Sequence, residues 1–371
     1  MNQPGWSSPP LDARRCSKMR FGLLQLFENP GAQTDARWLD EHLASLVEGD
    51  RLGFDNIWVG EHHFGDYGVC ASPTLVLAAL AQHTTRARIG SAVLVLPFHH
   101  PVRVAEELTL LDIASGGRLD VGVGRGFRAQ EFAGYGVDPS QSESLFDESL
   151  EIMLSLWRDG AVTFHGRHYD VEVSDFRQRT VQRPHPPVWM AAVSPPSFAK
   201  AGRLGLNLLC STFYGGTVGE LAAGVSAYKQ ALREAGHDIE SRRIGFLSLM
   251  YVGDTEAEAD SVLRDPARWQ FEELSRYIPR DPPPGYEHYA SLRERALWAN
   301  WDDLKQRAVA ICGDAQSVCD RVAQLEAEIG FTDLICWTHV AGVPTSFAMK
   351  STRRIADEVM PVFTAGEALT A

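Results

Sequence analysis

Nothing in the 371-residue sequence approaches the uninterrupted apolar stretch that crosses a bilayer, so a membrane span is excluded. Positive charge is also short. Thirty-five Lys and Arg stand against 48 Asp and Glu, and the net charge of −13 excludes a general attraction to nucleic acid or anionic lipid. The six cysteines (Cys16, Cys70, Cys210, Cys312, Cys319, Cys336) are too scattered for a zinc site or a close redox pair, which points to reduced thiols and a cytoplasmic protein. A P-loop and a complete dinucleotide fingerprint are both missing. Residues 1–18 lack the apolar segment of a signal peptide. Rich in Pro, Ser and Arg, they read as a disordered extension ahead of a single domain over 19–371, with Met19 a candidate start.

What is present is one unit repeated: a short apolar or β-branched run, a turn, then an amphipathic helix. Strands are expected at 21–26, 56–59, 87–96, 119–124, 187–192, 206–210, 244–252 and 332–337. Helices are expected at 36–52, from Pro73, from Pro101 to about 114, at 142–158, from Ser194, and at 218–235, 255–263, 315–329 and 345–359. Ser72 before Pro73 and Gly53 after the first helix have the chemistry of helix ends. Alternation of this kind builds parallel strands with helical crossovers, and eight units in one domain predict an α/β fold of the (β/α)8 TIM-barrel type. Two segments fall outside the repeat. Residues 162–173 alternate like a surface hairpin, and 265–301, between units seven and eight, is long enough to be an active-site lid.

In such a barrel the reactive side chains stand at the carboxyl ends of the strands. Glu61, His62, His63 and Phe64 follow strand 2, Gly124, Arg125 and Gly126 follow strand 4, and Ser194 and Ser197 follow strand 5. Histidine at a strand end suits proton transfer, because its pKa lies near neutrality. Adjacent histidines in extended chain point to opposite sides, and no further cluster completes a ligand set, so no metal is expected. One histidine satisfied by backbone and the other exposed, with no chemistry, is the competing reading. Arg125 beside glycines, with Ser194 opening a helix, could hold a phosphate, although simple capping explains Ser194 as well. His99 and His100 read as the loop after strand 3, where a turn is sufficient and a pocket role is the alternative, Trp189 and Trp337 as core, and Asp314 as a helix cap.

Together, Gly53-Phe54-Asp55 to Trp58, Glu61 to Phe64, Val95-Leu96-Pro97, His100 to Arg103, Leu110 to Asp112, Gly117-Arg118, Gly122 to Gly126, Pro187 to Trp189 and Gly236 to Ile239 resemble bacterial luciferase and its flavin-dependent monooxygenase relatives, in order and spacing. The resemblance runs from Met19 through nearly the whole chain. It implies FMN at the carboxyl mouth of the barrel, reduced by a separate flavin reductase, with molecular oxygen as co-substrate, a peroxyflavin and an organic substrate. It makes His62 catalytic and places Glu61 and His63 by the flavin, with Ala92-Val93 a non-proline cis peptide beneath its ring. It also assigns Gly124 to the flavin site, Arg125, Ser194 and Ser197 to the phosphate, and a homodimer or heterodimer to the assembly. Luciferase's light-emitting subunit has Cys, Glu and Thr where this chain has Gly124, Val193 and Ser197, so light emission is not expected, and Gly124 is read as room for a bulkier substrate. Deazaflavin hydride transfer and a non-catalytic flavin-binding subunit remain alternatives.

Overall fold

Eight strand positions close on themselves in the computed structural model, which describes residues 19–31, 35–213, 216–277, 282, 286, 287, 289 and 300–364. The barrel strands are β1 (Arg20–Gln25), β2 (Asn56–Val59), β3 (Arg88–Ser91) with β4 (Leu94–Val95), β5 (Leu119–Gly124), β8 (Val188–Ala191), β9 (Asn207–Ser211), β10 (Ile244–Val252) and β12 (Asp333–Trp337). Each pairs in parallel with the next, and β12 returns to β1 through Phe21↔Leu334 and Leu23↔Cys336. This is the closed barrel that the repeat predicts. The expected hairpin is there too, as antiparallel β6 (Val162–His165) and β7 (Asp170–Val173). The extension over 1–18 lies outside the described residues.

The strand period sorts side chains to two sides. Phe21, Leu23, Ile57, Val59, Ile89 and Val121 belong to the apolar layer shared with the helices, whereas Leu24, Leu26, Trp58, Trp189, Leu249 and Trp337 fill a second, inner cluster. Helices α1 (Asp35–Leu52), α2 (Pro73–His83), α3 (Pro101–Ala114), α5 (Ser142–Asp159), α6 (Pro195–Arg203) and α7 (Val218–Glu234) follow their strands as expected. No helix among the described residues is long and apolar enough to cross a membrane.

Three expectations need correcting. The third strand, read as continuous over 87–96, is broken into β3 and β4 at Ala92-Val93, whose peptide bond is cis. Pairing with β5 moves from Gly90↔Asp120 to Leu94↔Val123, an offset one residue smaller, so the interruption is a bulge that turns the strand end. The stretch read as a lid begins inside a helix: α8 (Glu256–Tyr277) continues through Pro266 and gives up one backbone hydrogen bond there. After α9 (Trp301–Gln306), an unpredicted strand, β11 (Ala310–Gly313), extends the sheet from β10, with Leu249 opposite Ala310.

Contact between β3 and β5 requires glycine. A Cβ on Gly122 would stand 2.0 Å from the Ser91 carbonyl oxygen, and the Ser91 hydroxyl already accepts from Gly122 N–H at 3.1 Å and donates to the Gly122 carbonyl at 2.8 Å. Gly122→Ala is therefore expected to cost about 3 kcal/mol by overpacking. Denaturant melts measure it, and an unchanged midpoint would show that these strands can separate freely.

Candidate active site

Four strand ends place the predicted residues around one cleft of about 1000 Å3 at the carboxyl mouth. Glu61, His62, Ala92, Val93, Gly124, Arg125, Ser194 and Ser197 all border it. His63 does not. Its ring is buried behind the wall, where Nε2 meets Glu61 at 2.9 Å and Nδ1 meets the Tyr135 hydroxyl at 3.1 Å.

The partner of His62 is a residue the sequence reading passed over. Gly126 ends the strand-4 loop, and the short helix α4 (Ala129–Tyr135) that follows carries Glu131 back to the strand-2 loop. One Glu131 oxygen accepts from His62 Nδ1 at 3.0 Å, from the His63 N–H at 3.0 Å and from Arg128 Nη1 at 2.8 Å. Arg128 is fully buried and also lies 5.1 Å from the Tyr67 ring. Burial alone would push the Glu131 carboxyl up, but His62, Arg128 and the backbone N–H together hold it below the usual range. Burial lowers the His62 pKa and outweighs the opposing pull of Glu131, so the ring is neutral near pH 7. An ionised carboxylate only accepts, which puts the His62 proton on Nδ1 and leaves Nε2 as the nitrogen for proton exchange with a ligand.

Glu61 organises the other side. Its Oε1 meets His63 and, at 2.7 Å, His99 Nε2, while Oε2 accepts from the Val95 N–H at 2.7 Å. Burial opposes its charge, yet these three donors lower its pKa. His99 is shifted the other way: burial disfavours its cation, but Glu61 more than compensates and raises it. The residue read as part of a turn thus joins the cluster, and Glu61 ties both it and β4 to the strand-2 loop.

At the phosphate candidates, the helix-end argument weakens. Ser194 caps α6 and Ser197 closes a capping box, but the first two helical positions are Pro195 and Pro196, which carry no N–H. The Ser197 hydroxyl accepts from Val193 and Ser194 N–H at 3.1 and 3.0 Å. An anion here would therefore rely on the Ser194 hydroxyl and on Arg125, whose guanidinium sits 3.3 Å from Glu143 and 4.8 Å from the Tyr286 ring centroid. Gly124 also differs from expectation. Its missing side chain leaves no spare room, because a Cβ would stand 2.6 Å from Val93 Cγ2.

Trp337, expected in the core, borders the cleft with Leu24, Leu26, Phe213 and Leu247. Tyr289, within the stretch read as a lid, borders it too and stacks on Phe127 at 5.7 Å between ring centroids. Asp314 is the expected cap, accepting from Ser317 N–H at 2.9 Å. No group of side chains suited to a metal occurs among the described residues.

A closed parallel barrel with a carboxylate-held histidine at its carboxyl mouth has the architecture of a barrel enzyme equipped for proton transfer. The chain belongs to the luciferase-like monooxygenase family, which it matches over residues 19–333. It is 28% identical over 350 residues to the oxygenase component of the flavin-dependent trigonelline monooxygenase of Acinetobacter baylyi, covering 93% of this chain and 96% of that protein. In fold it is similar to the oxygenating constituent of 3,6-diketocamphane monooxygenase of Pseudomonas putida in complex with FMN, with TM-score 0.78, 21% identity and coverage of 92% and 98% of the two chains. It is also similar to an F420-dependent secondary alcohol dehydrogenase, with TM-score 0.75, 20% identity and coverage of 93% and 99%. The family thus includes flavin-dependent monooxygenases, and its fold serves both FMN and deazaflavin proteins.

Proposed function

We propose that this chain is the oxygenase component of a two-component monooxygenase: it takes reduced FMN from a separate flavin reductase and uses molecular oxygen to oxygenate a small organic molecule. The observation that carries the reading is His62, neutral and fixed by Glu131, at the edge of a cleft whose chemistry suits FMN. Ala92, Val93, Gly124 and Ala191 offer a flat apolar wall to the isoalloxazine ring. Arg125, Ser194 and Ser197 border the same space, with the guanidinium and the Ser194 hydroxyl as donors to the phosphate and Ser197 holding the loop by donating to the Ser194 carbonyl at 2.6 Å. Bound there, reduced FMN supplies the electrons that activate oxygen, which no side chain provides.

The residues supply the rest. His62 Nε2 takes or returns a proton at the reacting face, and Glu131 keeps the ring in one tautomer and one orientation. Glu61 pins the Val95 backbone and so holds the wall formed by β4. Leu24, Leu26, Phe213, Leu247 and Trp337 keep water from the substrate side. The name of the trigonelline relative, an oxygenase component, supports a separate reductase. Exposed Leu75 on α2 and Leu110 and Ile113 on α3 support a homodimer or heterodimer through that face, which sedimentation velocity tests.

Supplied with reduced FMN and labelled oxygen, the purified protein is expected to place one labelled atom in a product from a panel of organic substrates. Turnover without oxygen on a reduced deazaflavin would overturn this reading in favour of hydride transfer.

A further inference from the structure

At the opposite end of the barrel, a second cavity of about 1440 Å3 opens among the amino-terminal ends of β1, β3, β5, β8 and β9. Five arginines border it (Arg20, Arg88, Arg158, Arg242 and Arg243), and among the described residues on its wall the only carboxylate is Asp120. That balance runs against a chain whose net charge is −13.

Three of the arginines have structural partners. Arg88 grips Asp120 at 2.8 Å and the Leu119 carbonyl at 2.7 Å. Arg243 pairs with buried Asp333 and lies 5.3 Å from the Trp189 ring, closing the barrel floor. Arg158 is paired at the surface with its neighbour Asp159 at 2.7 Å. Arg20 and Arg242 form no ion pair among the described residues, although the Arg20 charge reaches the buried Asp333 carboxylate. Moreover, Arg242 Nε is buried with no hydrogen-bond acceptor among the described residues. A guanidinium N–H in that state is costly unless a guest supplies the acceptor. Asp120 is already committed, one oxygen to Arg88 and the other to Arg88 and Trp189 Nε1, each at 3.2 Å.

We infer that this cavity is a second ligand site, for a small phosphate-bearing anion held by Arg20 and Arg242. Two planar guanidinium forks match the several acceptor oxygens and double charge of a phosphate better than those of a single carboxylate. The inference is independent of the proposed oxygenase reaction, which occupies the other mouth.

Inorganic phosphate is the probe, used on the full chain carrying Arg125→Gln, which removes the other candidate phosphate seat whether or not FMN binds there. At ten times its dissociation constant, phosphate is expected to raise Tm by roughly 2 °C. Arg20→Gln and Arg242→Gln are each expected to weaken phosphate at least tenfold by calorimetry, and Arg242→Lys to retain part of the affinity. Arg20 is exposed, so its variant carries the test if Arg242→Gln does not fold. Equal stabilisation by chloride at matched ionic strength, or unchanged affinity in Arg20→Gln, would overturn the inference.

Discussion

His62→Ala is expected to lower kcat/KM for substrate oxygenation by roughly 10³-fold while leaving FMN affinity within a few fold, the range a positioned general acid or base contributes. The expectation rests on geometry. Glu131 fixes Nδ1 at 3.0 Å, so a single ring nitrogen serves the cleft. Alanine removes that nitrogen and leaves Arg125, Ser194 and the apolar wall untouched. Since burial lowers the His62 pKa below 6.5, the wild-type rate should be level from pH 7 upward and fall only on the acid side, as Nε2 takes a proton before reaction. Steady-state rates with reduced FMN, alongside flavin binding by fluorescence, test both claims. An alanine variant that oxygenates at the parental rate would remove His62 from the mechanism.

The frame for this site was legible because it is periodic and local. Apolar runs such as 119–124 and 332–337, each followed by a helix with recognisable ends, required eight parallel strands, and the chemistry of such a barrel falls at their carboxyl ends. Glu61, His62, Ala92, Val93, Gly124, Arg125, Ser194 and Ser197 come to one cleft for that reason. Glu131 was not legible. It lies 69 residues from His62, on a seven-residue helix without a motif, and only the fold brings the two together. His99 was hidden similarly, because a histidine before His100-Pro101 satisfies a turn, and nothing local indicates that Glu61 lies 2.7 Å away. The misplaced end of α8 has a different cause. Pro266 carries a stop signal, yet Ala267, Phe271 and Leu274 beyond it are buried in the inner cluster, and that packing outweighs one lost backbone bond. Trp337 shows the limit of strand periodicity, which assigns a residue to the barrel interior without distinguishing packed core from cleft wall.

Glu28→Gln is expected to stabilise the protein by about 3 kcal/mol at pH 7. Glu28 follows β1, is only 2% exposed, and accepts a hydrogen bond from Gln270 of α8. Among the described residues its second oxygen accepts no well-formed hydrogen bond. Burial pushes its pKa up from 4.5 to about 8, with its own backbone N–H, Gln270 and Trp337 pulling only weakly the other way. The sign follows from proton affinity. Between pH 4.5 and about 8 the folded state keeps the proton and the unfolded chain releases it, so stability is intact below pH 4.5 and falls as pH rises through that window. Each pH unit costs about 1.4 kcal/mol, which over the interval from 4.5 to 7 gives about 3 kcal/mol. Glutamine has the shape of the protonated acid, still accepts from Gln270 and never ionises. The difference between variant and parent should therefore vanish near pH 4.5 and grow to a plateau at about pH 8, while the buried His62, His42 and His339 affect both proteins alike. Denaturant melts at pH 5, 6, 7 and 8 measure the difference directly. If the two proteins keep a constant separation across that range, Glu28 is ionised in the folded chain and its carboxylate has a partner.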